Sequence, residues 1–379
     1  MGARNNGRGN GQSNGRRDAP PRVLHIVPAL FGAHRGGGIY GGAERYALEL
    51  AREMADEVPT TLVSFGDTEQ TMTFGRLRVR VIGNPWFVRG QRTNPVALRL
   101  LAELRKADVV HCHQQHVLAS SLAALVSRLT RRRVFVSDLG GGGWDVSAYV
   151  STDRWYHGHL HISEYSRTVS GHDGDTRAHV IFGGVDAEKF SPDESLARDA
   201  TALFVGRVMP HKGVDNLVRA IAPDMLLEIV GQTCDGRFLE DLRALADSKR
   251  VSFRHDCDDA ALVAAYRRAM CVVLPSVYKN MYGDVTRTPE LLGQTLLEGM
   301  ACGTPAICTD VASMPEIVED GVTGFIVPPN DPSALGQKLR WLRDNPERAR
   351  AMGHDARRRV LEKFTWRKVV ARCLEAYAA

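Results

Sequence analysis

Glu290 and Glu298 flank seven residues in the run Pro-Glu-Leu-Leu-Gly-Gln-Thr-Leu-Leu-Glu-Gly-Met-Ala-Cys-Gly-Thr-Pro, residues 289–305. Leu296, Leu297, Met300 and Ala301 recur at helical spacing. Gly293 marks the start of that helix, and Gly303-Thr304-Pro305 stops it. The spacing predicts Glu290 in the loop before the helix and Glu298 about one turn into it. The amides of Gly293, Gln294 and Thr295 would then be among the unpaired donors of a helix N-terminus, where an anion is favoured. Two hydroxyl-binding carboxylates beside a phosphate-binding amide cluster suit a sugar linked to a nucleotide diphosphate. Acidic residues also gather near helix starts simply because the dipole favours them, so the stretch needs support from elsewhere.

Three other groups of residues could do chemistry. Arg207 and Lys212 lie in Gly-Arg-Val-Met-Pro-His-Lys-Gly, residues 206–213, between an apolar strand at 202–205 and a helical pattern carrying Leu217, Val218 and Ile221. A forked guanidinium and a mobile ammonium at a strand's carboxyl end can hold a diphosphate, although ordinary surface cations would look alike. His111, His113 and His116 follow the apolar strand at 109–112. His-x-His raises the question of zinc, but no fourth ligand is placed, and hydrogen-bonded loop histidines fit as well. Asp138 and Trp144 bracket four glycines, 140–143. A carboxylate and an indole there could hold a sugar acceptor by hydrogen bonding and ring stacking.

The elements that must position these groups follow one theme. An apolar strand at 23–27 leads into a glycine-rich loop and then a helix on which Ala43, Tyr46, Ala47, Leu50, Ala51 and Met54 recur at three and four. Apolar runs at 61–65, 77–82, 109–112, 134–137, 159–162 and 179–182 alternate with helical patterns at 96–106 and 117–129. A second series follows, with strands at 202–205, 226–230, 251–253 and 271–274 and a helix at 237–246. Strands alternating with helices predict open parallel sheets, which bind ligands at strand carboxyl ends. Residues 334–363 read as surface helices, and Trp366, Val369, Val370, Cys373, Leu374 and Tyr377 form one stripe of a last helix.

A chain of 379 residues is long for one core, and two domains are the natural expectation. Its hydrophobic fraction of 44% and charged fraction of 25% are those of an ordinary globular protein. The formal charge of +5 gives no ground for nucleic-acid binding, and four arginines against one aspartate leave +3 of it in the first 21 residues. Those residues have almost nothing to bury and are expected to be disordered. The basic segment 76–92, with Trp86 and Phe87, and Arg131-Arg132-Arg133 read as solvated faces, or as a patch meeting lipid phosphate or an anionic acceptor. Seven scattered cysteines without Cys-x-x-Cys read as reduced core residues. No apolar run has the length of a membrane span and the N-terminus lacks an apolar leader, so the expectation is a cytoplasmic protein, with peripheral membrane contact left open.

The glutamate stretch resembles the E-x7-E segment of the retaining glycosyltransferases of family 4, which have the GT-B fold. The resemblance continues through residues 311–329, where Met314-Pro315-Glu316-Ile317-Val318 and Gly321-Val322-Thr323-Gly324-Phe325 match. It extends to the Gly-Arg…Lys-Gly segment at 206–213, to Asp-x-x-His-x-His at 108–113 and to Gly-Gly-Ala-Glu-Arg at 41–45. At 180–186 it meets the family's Asn-Gly-Val-Asp turn, with Gly183 where the family usually has Asn. It covers nearly everything from Arg22 onward.

This resemblance implies an α/β protein of two doubly wound Rossmann-like domains with a cleft between them. The implied division is a tail at 1–21, an acceptor-binding domain at 22–190, a linker at 191–198, a nucleotide-sugar-binding domain at 199–364 and a terminal helix at 365–379 that crosses back to the first domain. It also implies transfer of a sugar, with retained configuration, from a UDP- or GDP-linked donor to a hydroxyl of a glycan, lipid-linked or small-molecule acceptor. Arg207, Lys212 and the amides of Gly293, Gln294 and Thr295 would hold the diphosphate without a metal, with Gly42 approaching it. Glu298 would grip the ribose, Glu290 and His113 the donor sugar, and Asp138 and Trp144 the acceptor. A leaving phosphate oxygen would take the acceptor proton. The family usually has a glycine near His255, and its absence leaves the base open. The other readings are a GT-B nucleotide-sugar epimerase and a sugar-nucleotide-binding protein without turnover. A dinucleotide-dependent dehydrogenase is disfavoured, since G-x-G-x-x-G does not follow the first strand in its usual place.

Overall fold

The computed structural model of the chain describes residues 19–30, 42–140, 143–255 and 257–379. Most of the N-terminal tail, most of the first glycine-rich loop, Gly141, Gly142 and Asp256 lie outside them. In chain order the first half comprises β1 (Val23–Leu30), α1 (Gly42–Glu57), β2 (Thr60–Gly66), β3 (Gln70–Phe74), β4 (Leu77–Gly83), β5 (Trp86–Phe87), β6 (Pro95–Val96), α2 (Leu100–Leu104), β7 (Val109–Cys112), α3 (Leu118–Leu129), β8 (Arg133–Val136), β9 (Gly158–His161), α4 (Glu164–Val169) and β10 (Ala178–Val180). The second half comprises β11 (Thr201–Val205), α5 (Val214–Ala220), β12 (Leu226–Val230), α6 (Gly236–Leu245), β13 (Arg250–Arg254), α7 (Asp259–Arg268), β14 (Cys271–Leu274), α8 (Gln294–Ala301), β15 (Ala306–Thr309), α9 (Met314–Ile317), β16 (Gly324–Val327), α10 (Pro332–Asp344), α11 (Pro346–Lys363) and α12 (Trp366–Ala378).

Each half is built on its own sheet. The first has the order β10-β9-β8-β7-β1-β2-β4-β3 and the second β13-β12-β11-β14-β15-β16. The second is parallel throughout. Strands such as β7, β11, β14 and β15 are buried along their whole length, because helices cover both sheet faces and nothing polar is needed on either. In each sheet the order reverses beside a central strand, between β1 and β7 and between β11 and β14, and the clefts at those strands' carboxyl ends are the natural ligand sites.

Three features differ from the sequence expectation. The first sheet ends in an antiparallel strand, β3, paired to β4 through a tight turn with Gly75 at φ 59°. Its sequence, Gln-Thr-Met-Thr-Phe, is mostly exposed and lacks the apolar run that marks the other strands. The helix expected at 96–106 is cut to Leu100–Leu104, because Pro95 and Val96 pair with Phe87 and Trp86 in a small ribbon. Here tertiary pairing overrides a helical pattern. Helices α10 and α11 are not surface helices on all sides: Leu335, Leu339, Leu342, Ala356 and Val360 are buried.

Helix α12 begins beside the second half and packs on the first. Trp366 meets Tyr46 of α1 edge-on at 5.1 Å, and Tyr377 meets Phe135 of β8 at 4.9 Å. Arg372 donates to the carbonyl of Ile181 at 3.3 Å. The halves are also joined by Glu316, whose carboxylate accepts from the amides of Glu164 at 2.8 Å and Tyr165 at 2.7 Å, the start of α4. Among the described residues, no helix is long and apolar enough to cross a membrane. All seven cysteines are free, and Cys112, Cys271, Cys302, Cys308 and Cys373 are buried.

A helix of this length is marginal alone, so its stripe depends on the faces it covers. Trp366→Ala removes the buried ring at its start and is expected to cost about 3–5 kcal/mol. Urea titration checks this, and a chain truncated before Trp366 is expected to aggregate or to melt well below the intact protein.

Candidate active site

The loops after β11 and β14 bring the main candidate residues together. After β11 the chain makes a short 3-10 turn at Pro210–Lys212 and continues through Gly213 at φ 64°. A Cβ on Gly213 would stand 2.0 Å from the Pro275 carbonyl oxygen, so only glycine allows this loop to press against the end of β14. The two loops are also tied by the Val277 amide, which donates to the His211 carbonyl at 2.9 Å. That closeness puts Lys212 Nζ 2.6 Å from Glu290 Oε2, with the side chains only 12% and 15% exposed. Lys212 also points at the Pro289 carbonyl, 3.4 Å away. Arg207 is exposed. Burial raises the carboxyl of Glu44, and the charge of Arg207 offsets only part of that rise. Burial lowers the pKa of His211, Lys212 and Arg207 lower it further, and Glu290 opposes them.

Helix α8 starts at Gly293, at φ 83° and without a side-chain cap. Among the described residues the amides of Gly293, Gln294 and Thr295 have no hydrogen-bond acceptor. Glu298 lies inside the helix and is buried, with Tyr266 of α7 donating its hydroxyl to Glu298 Oε2 at 2.9 Å. Burial raises the Glu298 carboxyl, while Arg45, the Tyr266 hydrogen bond and Lys189 lower it. Glu298 opens onto a small cavity of about 80 Å³ between the halves, lined also by Gly42, Arg45, Lys189, Gln294 and Trp366. Arg45 and Lys189 both reach Asp259 from the other side, the former at 3.5 Å. A separate cavity of about 520 Å³ is lined by Arg198, Arg350, His354 and Arg357 and by none of the candidate residues.

The turn at 180–186 passes close by. Gln294 donates to the Gly184 carbonyl at 3.0 Å. A Cβ on Gly183, where the family usually has Asn, would meet the end of the Leu292 side chain at 2.0 Å, so a side chain there requires Leu292 to move.

In the first half, His113 follows β7 and is buried. Its Nε2 lies 2.7 Å from His25 Nδ1, and its Nδ1 has no partner among the described residues. His116 instead meets Ser147 at 3.0 Å. Asp138 is half-buried, and desolvation raises its pKa against the effects of His116 and the amides of Gly140 and Gln115. Trp144 lines an open groove with Gln91, His116 and Ser147, and the Arg89 guanidinium lies over its ring at 3.9 Å. One face of that indole is therefore occupied by a cation rather than free for a sugar. Ligating atoms of His25, His111 and His113, and of Asp153, His159 and His172, lie within 4.8 Å of one another. A divalent ion at a diphosphate is often held by Asp-x-Asp, and the sequence contains two such triplets, Asp173-Gly174-Asp175 and Asp256-Cys257-Asp258. Asp175 pairs with Arg177, Asp173 accepts from Thr168, and Asp258 caps α7; Asp256 is outside the described residues. None of these contacts is with Lys212, Glu290 or Glu298.

Sequence reading missed Tyr266, Lys189 and Asp259. Tyr266 falls on the apolar face of an ordinary helix, 32 residues before its partner, and carries no local signal. Arg45 and Glu44 lie within the quoted Gly-Gly-Ala-Glu-Arg, whose charged members had a signal but no assigned role.

Comparison with known proteins agrees across the chain. The profile of the family described as Glycosyl transferases group 1 matches residues 186–359, and that of Glycosyltransferase Family 4 matches residues 40–189. The alpha-maltose-1-phosphate synthase of Mycolicibacterium smegmatis is 30% identical over 74% of this chain and 81% of its own length. The GDP-mannose-dependent alpha-(1-6)-phosphatidylinositol monomannoside mannosyltransferase of the same organism is 29% identical over 67% of this chain and 72% of its own. Among solved structures, Anabaena HepE in complex with UDP matches with a TM-score of 0.70 at 18% identity, over 94% of this chain and 99% of that one. Sucrose-phosphate synthase from Thermosynechococcus elongatus matches at 0.68 and 21% identity, over 94% of this chain and 98% of that one. These structural likenesses establish the GT-B fold.

The Lys212–Glu290 pair has a consequence that can be measured with nucleotides alone. Neutralising Glu290 leaves Lys212 without its counter-charge. Glu290→Gln is expected to bind UDP or GDP about tenfold more tightly than the parent, equivalent to roughly 1.4 kcal/mol. Isothermal calorimetry tests this, and equal or weaker binding would show that Lys212 does not face the diphosphate.

Proposed function

Because the chain belongs to glycosyltransferase family 4 and so moves a sugar from a nucleotide-sugar donor, we propose that the transfer retains anomeric configuration and needs no metal at the diphosphate. We propose a UDP- or GDP-linked hexose as donor and a hydroxyl of a glycan, lipid-linked or small-molecule acceptor. The observation that carries this reading is the convergence at one switch point of Lys212, Glu290, the open amides before α8 and buried Glu298. Relatives named for maltose 1-phosphate, phosphatidylinositol monomannoside and inositol phosphate support both a soluble and a lipid-linked acceptor class.

Breaking the glycosidic bond places negative charge on the diphosphate while the sugar becomes oxocarbenium-like. Donors fixed around the phosphate favour that state more than the ground state. In the proposed complex Lys212 leaves Glu290 for the diphosphate, Arg207 closes on it from the exposed side, and the amides of Gly293, Gln294 and Thr295 add a helix N-terminus. Glu290, released from Lys212, accepts from a donor-sugar hydroxyl. Glu298, held by Tyr266, accepts from the ribose. Gly42 lies beside the same cleft, and His113 contacts the sugar. A leaving phosphate oxygen takes the acceptor proton. Asp138 and Trp144 flank the groove proposed for the acceptor.

Lys212→Ala is expected to lower turnover by roughly 10²–10³, with folding intact, since it removes one preorganised charge-stabilising donor. Arg207→Ala is expected to lose a comparable amount. Donor consumption is assayed with UDP- and GDP-sugars and crude acceptors, with and without excess chelator. Activity lost to chelator and restored by magnesium or manganese would overturn the metal-free clamp, and an epimer formed without acceptor would replace transfer by epimerisation. Separately, Glu298→Gln is expected to weaken UDP or GDP itself about tenfold, again roughly 1.4 kcal/mol, with no sugar attached.

A further inference from the structure

We infer that Met54 and His25 fix the tautomer of His113, so that His113 presents a bare ring nitrogen that accepts a hydrogen bond from a sugar hydroxyl. The inference rests on the reading above only for what that nitrogen touches; the tautomer follows from the chain's own groups.

His25 on β1 and His111 on β7 are cross-strand partners, and His113 follows His111 by two residues. Strand alternation therefore puts all three rings on one side of the sheet. His25 Nδ1 and His113 Nε2 are 2.7 Å apart, and the two rings are within 15° of coplanar with centroids 5.0 Å apart. That is the geometry of an in-line hydrogen bond between ring nitrogens rather than of a face-to-face stack. One nitrogen must carry the hydrogen and the other the lone pair.

The other end of His25 decides which. His25 Nε2 lies 3.3 Å from the sulfur of Met54, and Met54 is fully buried. A thioether can accept a hydrogen bond but cannot donate one. His25 Nε2 therefore carries the hydrogen. Burial pushes the pKa of His25 down to about 3 and that of His113 well below the usual histidine range, so both rings are neutral and each has one N–H. His25 Nδ1 is then a lone pair, His113 Nε2–H donates to it, and His113 Nδ1 is left as a lone pair. That atom is buried and has no partner among the described residues.

A buried lone pair without a donor is unfavourable until a ligand supplies one. A hydroxyl can supply one; a phosphate or ring oxygen cannot. The opposite tautomer would present an N–H and prefer those oxygens. Met54, a residue on the core face of α1, thus biases what the site recognises. His111 has a different part. Its Nδ1 meets the Tyr377 hydroxyl and its Nε2 the Ser137 hydroxyl, each at 2.8 Å, and either hydroxyl can donate or accept. Its ring lies 4.2 Å from that of His113 and holds the plane of that ring.

The test uses the full chain with nitrogen-15 in its histidines. Long-range proton–nitrogen correlation spectra, with His113→Gln and His25→Asn for assignment, are expected to show a pyridine-type Nδ1 and a pyrrole-type Nε2 for both His25 and His113. A pyrrole-type Nδ1 on His113, or nitrogens shifted by a bound metal, overturns the inference. Met54→Leu removes the sulfur acceptor at nearly the same volume and is expected to mix the two tautomers. With a sugar nucleotide that turns over, the analogue fluorinated at the hydroxyl read by His113 is expected to lose about tenfold in kcat/KM with the parent enzyme and about threefold with Met54→Leu, as removal of one neutral hydrogen bond would give. Discrimination unchanged in Met54→Leu overturns it. If Met54→Leu fails to fold by circular dichroism, His25→Leu against His25→Asn, which keeps an acceptor oxygen, serves the same comparison. If no sugar nucleotide turns over, the proposed function fails while the spectra still decide the tautomer.

Discussion

The ion pair between Lys212 and Glu290 is the contact on which the architecture of the second half converges. It joins the loops that leave the two central strands of that sheet, at the point where the strand order reverses. Neither side chain is well exposed, so each charge depends on the other. A largely buried pair of this kind contributes little net stability, because desolvation offsets attraction, but losing one partner is costly. What the pair does is keep the two charges in place and neutral overall. Gly213 makes the pair possible by letting one loop lie against the backbone of the other.

Helix α8 is oriented from both ends. Arg198 donates to the Cys302 carbonyl at 2.8 Å, and Arg357 donates to the Ala301 carbonyl, so two guanidiniums satisfy the carboxyl end of the helix. Cations there complement the helix dipole. The amino end is left open toward the cleft, with glycine rather than a capping side chain at its start. A Ser or Asp at that position would satisfy the amides and close an anion site. The uncapped start therefore leaves those amides available to an anion.

The cleft depends equally on contacts that hold the halves together. Helix α12 lays Trp366 against Tyr46 and sends Tyr377 to His111, so the last turn of the chain touches the histidine group of the first sheet. Glu316 closes the opposite side by accepting from the first amides of α4. Burial raises its carboxyl while those amides lower it, so the ionised form depends on the contact between the halves. The two halves are therefore braced at two edges, by α12 and by Glu316.

What the sequence determined by itself is local. The alternation of short apolar runs with amphipathic helices was enough for two doubly wound sheets, because each period reports a buried face. Gly293 as a helix start and Glu298 one turn inside followed from spacing within a dozen residues, as did the placement of Arg207 and Lys212 after a strand. The sequence could not show the partner of each group. Tyr266 behind Glu298, Met54 beneath His25 and Arg89 over Trp144 are apolar or solvated positions by pattern, and they meet their partners only when helices cross the sheets. β3 and the shortened α2 escaped for the same reason: pairing with β4 and with Trp86–Phe87 decided them, against weak or contrary local preference. Even the opposed roles of Lys212 and Glu290 looked separate in the sequence, 78 residues apart. Tertiary structure made them one ion pair, because only the folded sheet sets side by side two strands that are far apart in the chain.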